Sequence, residues 1–370
     1  MRIGVDIRTL LSPTGRGVSH YAHAILAELI RQHPRDEWHL LQTGRHPYRP
    51  AAEHQGRRVH HHHFGRSNKL LNARLALTGR PALDSLLPPV DVLFAPNLGF
   101  INPGRTPLVV TVHDLSYELF PELYRVKERL WHRMVNPRRL LDRAARIIAV
   151  SGQTKDELGT VYGIPDEKVS VVHSGIDAAY RSVTARDGAA VRRKYQLPER
   201  YLLFVGAHDP RKRLPVLVEA FALARRRGLQ ADLVLAGSTS PALHRLVRES
   251  DNPAIRVLGY LPEADKPGLY AEAEACVLVS SHEGFGFPPL EALATGTPAI
   301  VSDLPVFKET MGDAALTVPL DNPAALAQKL VDLEAGRARL AKAAAQRALR
   351  RLTWANAARQ TYDVLKHAAR

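Results

Sequence analysis

The sequence predicts an α/β fold made of two Rossmann-like domains. Short runs that are apolar on both faces recur along the chain, as expected of parallel strands covered by helices on both sides. Amphipathic stretches with helical spacing alternate with these runs. The alternation starts afresh after residue 184, and 370 residues suit two cores.

The elements follow in order. Residues 1–7 read as a first strand, because Asp6 and the flanking arginines come too early for a signal peptide. Gly15 and Gly17 lead into helical spacing over 18–32. The segment 44–70 is the least orderly. Its run His60, His61, His62 and His63 has neither ordered ligand spacing nor a carboxylate partner, so a mobile surface loop is expected and no metal site. Runs 107–112 and 146–150 supply further strands of the first domain, and 201–205, 232–236, 275–279 and 297–301 those of the second. Helical spacing recurs at 214–227, 241–250, 266–274, 288–295 and 323–348. Residues 184–188, a short helix to Tyr195 and then Pro198 read as a connector. The domains expected are 1–183 and 198–350.

Composition narrows the class. Hydrophobic residues at 45% and charged residues at 24% are ordinary for a globular chain. No apolar run approaches the roughly 20 residues of a spanning helix. The single cysteine, Cys276, excludes an internal disulfide and fits a reducing cytosol; its apolar setting points to a buried, inert thiol. The net charge of +14 suits a phosphate-bearing ligand, an anionic membrane or nucleic acid. The stretch 125–146 holds Arg125, Lys127, Arg129, Arg133, Arg138, Arg139, Arg143 and Arg146 against only Glu128 and Asp142. Pro137 interrupts that stretch and no nucleic-acid module is recognisable, so contact with anionic lipid suits it better than nucleic acid.

The strongest chemical signal spans 281–296. Residues 283–287 form the loop after strand 275–279. Pro288 and Pro289 fit the first turn of a helix, and Gly296 fits its stop. Glu283 then lies in the loop and Glu291 about one turn into the helix. Small residues between them let a ligand approach the backbone, and N–H groups at 284–287 can hold an anion. A bare Gly-x-Gly turn, with Glu291 merely favouring the positive helix end, is the competing account. Arg211 and Lys212 follow strand 201–206, where ligands of open α/β sheets bind. His113 follows strand 107–112, a position that a capped core histidine also takes. Gly15 and Gly17 alone are weak evidence.

Glu283 and Glu291, with seven residues between, resemble the Glu-x7-Glu motif of retaining GT-B glycosyltransferases, specifically family 4. The glycine loop at 14–21 and the blocks at 110–116, 149–151, 209–212 and 256–261 are similar to further family blocks, so the resemblance covers essentially the whole chain. It implies a GT-B fold whose domains face each other across a donor-binding cleft, the first taking the acceptor, with helix 354–370 crossing back to the first. It also implies that Glu291 binds the donor ribose and Glu283 the transferred sugar. Backbone near Gly286 and Phe287 would contact sugar or diphosphate, and Arg211 and Lys212 would neutralise the departing diphosphate. His113 would lie beside the sugar, and Gly15 and Gly17 would approach the diphosphate or acceptor. Many relatives carry an arginine where this chain has Ala207, and Arg211 is expected to take over its phosphate contact.

The activity so implied is transfer of a hexose from a nucleotide diphosphate sugar to a glycan or lipid-linked acceptor in polysaccharide biosynthesis. The block Asp209-Pro210-Arg211-Lys212 resembles mannosyl-transferring relatives and points toward GDP-mannose. No cofactor is expected beyond that donor, and the missing Asp-x-Asp pair fits metal independence. Retention by same-face attack is expected, since the family places Glu283 beside the sugar hydroxyls. The expected location is cytoplasmic, with peripheral contact at the inner membrane face. A GT-B sugar-nucleotide epimerase and a non-enzymatic nucleic-acid-binding protein are the alternatives.

Overall fold

The computed structural model of the chain describes residues 1–11, 16–44, 51–65 and 67–370. They cluster into two compact units, 1–175 with 354–370, and 176–353.

Among the described residues the first unit holds seven strands: β1 (Arg2–Asp6), β2 (Glu37–Thr43), β3 (Val59–Phe64), β4 (Val92–Ala95), β5 (Leu108–Val112), β6 (Arg146–Ala149) and β7 (Val169–Val171). They form one parallel sheet in the order β3-β2-β1-β4-β5-β6-β7. Every residue of β5 is buried, as its unbroken apolar sequence requires of a strand covered on both faces. Ile3, Val5, Val92 and Phe94 pack with Tyr21, Ile25 and Leu29 of the helix Arg16–Gln32. The last helix, Trp354–Ala368, adds Ala357, Ala358 and Leu365 to the same cluster. Asp36 ties it down, accepting from the Tyr362 hydroxyl at 2.7 Å and from the Met1 amino group at 2.6 Å.

The histidine run corrects the expected loop. His60–His63 lie in β3, in register with β2. Alternation sends His60 and His62 toward His39, whose Nδ1 is 3.0 Å from His62 Nε2, while His61 and His63 bond the carbonyls of His54 and Gly44. A hydropathy pattern does not register histidine as a strand former, but a ring with a local partner sits well on a half-buried pleat. Residues 45–50 and 66 of that segment lie outside the described residues.

The second unit holds, among its described residues, β8 (Tyr201–Val205), β9 (Asp232–Ala236), β10 (Ile255–Gly259), β11 (Ala275–Leu278), β12 (Ala299–Ser302) and β13 (Leu316–Val318). Their order is β10-β9-β8-β11-β12-β13, again all parallel. In each sheet the winding reverses beside the first strand, at β1/β4 and at β8/β11, which makes two topological switch points.

Three sequence expectations change here. The connector at 184–188 is the start of the helix Ala185–Tyr195: Thr184 and Asp187 cap it reciprocally, and its Arg192 pairs with Glu272. The stretch 323–348 is two helices, Pro323–Glu334 and Lys342–Arg351, broken near Gly336, where φ is 72°. Residues 176–182 cluster with the second unit. The Ile176 amide donates to the Leu352 carbonyl at 3.1 Å, and the Arg181 guanidinium donates to those of Leu349 and Leu352.

Candidate active site

In the second unit, β11 runs out of the sheet at Leu278, and the chain crosses residues 279–286 before entering the helix Phe287–Thr295. Gly286 is the helix N-cap at φ 87° and ψ 53°, a left-handed conformation. A Cβ there would also meet Phe307 Cε1 at 2.5 Å, so space and backbone both demand glycine. Pro288 and Pro289 occupy the first helical turn and Gly296 the C-cap, as the sequence indicates.

The two carboxylates are held differently. Glu283, half-buried in the loop, accepts a hydrogen bond from Ser280 Oγ at 2.8 Å. Glu291 is buried in the helix, and its Oε2 accepts from the Tyr270 hydroxyl at 2.8 Å. The Glu291 charge also acts on the Tyr180 hydroxyl. Burial first, and then the Glu291 charge, push both tyrosine hydroxyls far above their ordinary titration range, so both are proton donors at neutral pH. Beneath them Cys276 is fully buried, and burial pushes its thiol up, which leaves it inert.

The cations come from the neighbouring strand. β8 pairs with β11, and the chain leaving β8 passes Gly206 and turns through the short helix Pro210–Lys212. The Arg211 carbonyl accepts from the Ser281 amide at 2.7 Å, so this turn is bound to the carboxylate loop. Arg211 and Lys212 differ in consequence. The Arg211 guanidinium is ion-paired to Asp209, Nη2 to Oδ2 at 2.9 Å, with Nε also facing both carboxylate oxygens. Lys212 reaches back across Gly206, occupying the place a Cβ would take, and its Nζ lies 5.9 Å from the Phe204 ring centroid. Among the described residues no carboxylate pairs with Lys212, so its charge is the less neutralised of the two. Arg213 follows in a left-handed conformation, φ 45°, and turns the chain into the helix Leu214–Arg226. Ala207 is exposed. Gly237, after β9, has the Gly206 carbonyl where a side chain would stand.

The remaining candidates belong to the first unit. His113 follows β5, and its Nε2 donates to the Pro96 carbonyl at 2.9 Å, beyond the end of β4. A carbonyl only accepts, so the proton sits on Nε2 and Nδ1 keeps its lone pair. Burial holds the His113 pKa below the usual histidine range, so the ring is neutral at pH 7. Tyr21 packs edge-on against it at 4.7 Å between centroids. Gly17 lies in the first turn of Arg16–Gln32, and a Cβ there would meet nothing within 4 Å, so packing does not require a glycine. Gly15 lies outside the described residues.

The structure thus brings Glu283, Glu291, Gly286, Phe287, Arg211 and Lys212 to adjoining strand ends of one sheet. The supporting groups Ser280, Tyr180 and Tyr270 escaped the sequence reading, and Asp209 was legible only as part of a motif block, not as the partner of Arg211. No local spacing along the chain links Tyr270 or Tyr180 to Glu291.

Two family models match: "Glycosyltransferase Family 4" over residues 15–180 and "Glycosyl transferases group 1" over 199–335. The chain is 31% identical to an O-antigen chain mannosyltransferase B of Escherichia coli over 70% of each chain. It is 30% identical to the O-antigen chain mannosyltransferase RfbU of Salmonella typhimurium over 58% of this chain and 57% of that one. Among solved structures it resembles Anabaena Alr3699/HepE in complex with UDP and glucose, at TM-score 0.73 and 18% identity, over 99% of this chain and 100% of that one. That likeness is one of GT-B fold.

Proposed function

The chain belongs to glycosyltransferase family 4, and on that premise we propose that it transfers mannose from GDP-mannose to a hydroxyl of a glycan or lipid-linked acceptor, with retention at the anomeric carbon. The observation that carries the site reading is the bond between the Ser281 amide and the Arg211 carbonyl, which holds the loop bearing Glu283 against the turn bearing Lys212. Cleaving a glycosyl phosphate leaves added negative charge on the leaving diphosphate. A fixed ammonium and the N–H groups at the start of the helix Phe287–Thr295 are groups that stabilise such charge. In this reading Lys212 meets the diphosphate, Glu291 the ribose and Glu283 the sugar hydroxyls, while Arg211 shapes the turn through Asp209. The neutral His113 accepts a hydrogen bond from the sugar side at Nδ1 or orients it, and the family pattern assigns Gly17, with Gly15 outside the described residues, to diphosphate or acceptor. Mannose is supported by the mannosyltransferase relatives and by the block at 209–212.

Retention follows a same-face path: the acceptor hydroxyl attacks as the diphosphate leaves, and the leaving phosphate oxygen takes its proton. The test is to offer GDP-mannose, UDP-glucose and ADP-glucose with acceptor and read the anomeric configuration of the product by NMR. Turnover of GDP-mannose to an α-linked product is expected. An inverted product, or a mass-spectrometric mannosyl adduct on Glu283, overturns the mechanism; turnover of a UDP-sugar alone overturns the donor.

The acceptor side is proposed to rest on an anionic bilayer. The helix Val126–Val135 exposes Val126, Leu130, Trp131 and Met134, and it packs through Val135 with Leu71, Leu75 and Phe100. Lys127, Arg129, Arg133, Arg138 and Arg139 surround that apolar face and are exposed, a charge pattern complementary to anionic headgroups. Sedimentation with phosphatidylglycerol vesicles is expected at low salt and not with phosphatidylcholine vesicles; equal behaviour with both overturns it.

A further inference from the structure

The side chains around Glu291 form a device that the family motif does not describe. Tyr270 comes from the helix Lys266–Ala271, and Tyr180 from the short helix Ala178–Arg181. Their rings meet at 64° with centroids 5.9 Å apart. Tyr270 is fully buried and Tyr180 nearly so. The Tyr270 segment is itself immobilised: its own carbonyl accepts from Thr297 Oγ1 at 2.7 Å, and that of Leu269 accepts from the Tyr201 hydroxyl at 2.6 Å. Tyr270 is therefore a fixed donor to the buried carboxylate, and the buried Tyr180 ring packs against it.

From this we propose that Tyr270 and Tyr180 are positioning residues that lock the Glu291 carboxylate in the rotamer that receives the donor ribose. The inference rests on the reading that Glu291 binds ribose. An ionised carboxylate offers about four acceptor sites. Hydrogen bonds from neutral hydroxyls satisfy part of that capacity without cancelling the charge, so it can still accept from ribose hydroxyls. A glutamate without such partners would divide its time among rotamers, and each bond to ribose would then bear an ordering cost. Held in advance, the carboxylate favours a sugar that donates to it over one that cannot, because the second forgoes those bonds.

The test separates positioning from mere support of the fold. Calorimetric affinities are measured for GDP, UDP and their 2′,3′-dideoxy counterparts on the full-length wild type, Tyr270→Phe and Tyr180→Phe, with each variant's melting transition recorded. The wild type is expected to prefer the ribose form of its nucleotide by about tenfold or more. Tyr270→Phe is expected to reduce that ratio to about threefold or less by weakening the ribose form alone, and Tyr180→Phe to act in the same direction. A ratio unchanged in both variants overturns the proposal, as does an equal loss for ribose and dideoxy forms. A wild type that binds both forms equally overturns the Glu291 reading first, which tells the two failures apart. Should Tyr270→Phe fail to fold, Tyr180→Phe decides alone.

Discussion

The Ser281 amide donates to the Arg211 carbonyl at 2.7 Å, which ties the loop carrying Glu283 to the turn carrying Lys212. Their parent strands, β11 and β8, are neighbours in the sheet though more than sixty residues apart in sequence. What distinguishes the two adjacent cations is their partners.

Arg211 is ion-paired to Asp209, whereas among the described residues no carboxylate pairs with Lys212. Lys212→Ala is expected to lower kcat by about 10²–10³-fold, the scale for losing one preorganised charge stabiliser. Arg211→Ala is expected to cost about tenfold or less, since Asp209 already screens it. Steady-state rates of the two variants decide the matter, and an equal loss in both would show that the ion pair opens when donor binds.

Gly286 is held in place by backbone and space together. Gly286→Ala is expected to destabilise the protein by about 2 kcal/mol or more, combining left-handed strain with the clash at Phe307. Adding Phe307→Leu relieves only the clash, so the double variant should recover part of that loss against Phe307→Leu alone. Urea unfolding midpoints measure both. A fully stable Gly286→Ala would mean that the loop takes another conformation in solution.

Protonation of the histidines around β3 opposes folding. Burial is the first cause that lowers the pKa of His39, His54 and His62, and neighbouring histidine charges add to it at each. Their unfolded pKa is about 6.5, so below that pH the unfolded chain binds more protons than the native one. Their contribution is complete above about pH 6.5 and is lost as pH falls toward the lowered native values. Urea midpoints at pH 7.5 and 5.5 should therefore lie closer together in His39→Phe than in the wild type. An unchanged gap would remove His39 from the acid sensitivity.

His113 is neutral through the working range because its pKa lies below the usual one. Its titration should leave the pH–rate profile flat above about pH 6.5. His113→Ala is expected to lower kcat by about tenfold or more through lost positioning. Nearly full activity in that variant would take His113 out of the site.

The sequence alone determined the α/β alternation and the placement of the loop and helix around residues 283–296, because strand hydrophobicity, paired prolines and helix-ending glycine act locally. Its motif also carried the family. Local pattern erred where tertiary partners govern. His60–His63 form a strand because His39, His54 and Gly44 receive their rings, and 184–188 join a helix that Glu272 anchors from a distance. Only the tertiary structure decided which cation a carboxylate pairs with and which tyrosine donates to Glu291. Those facts depend on side chains brought together from remote segments, and no spacing along the chain encodes such a meeting.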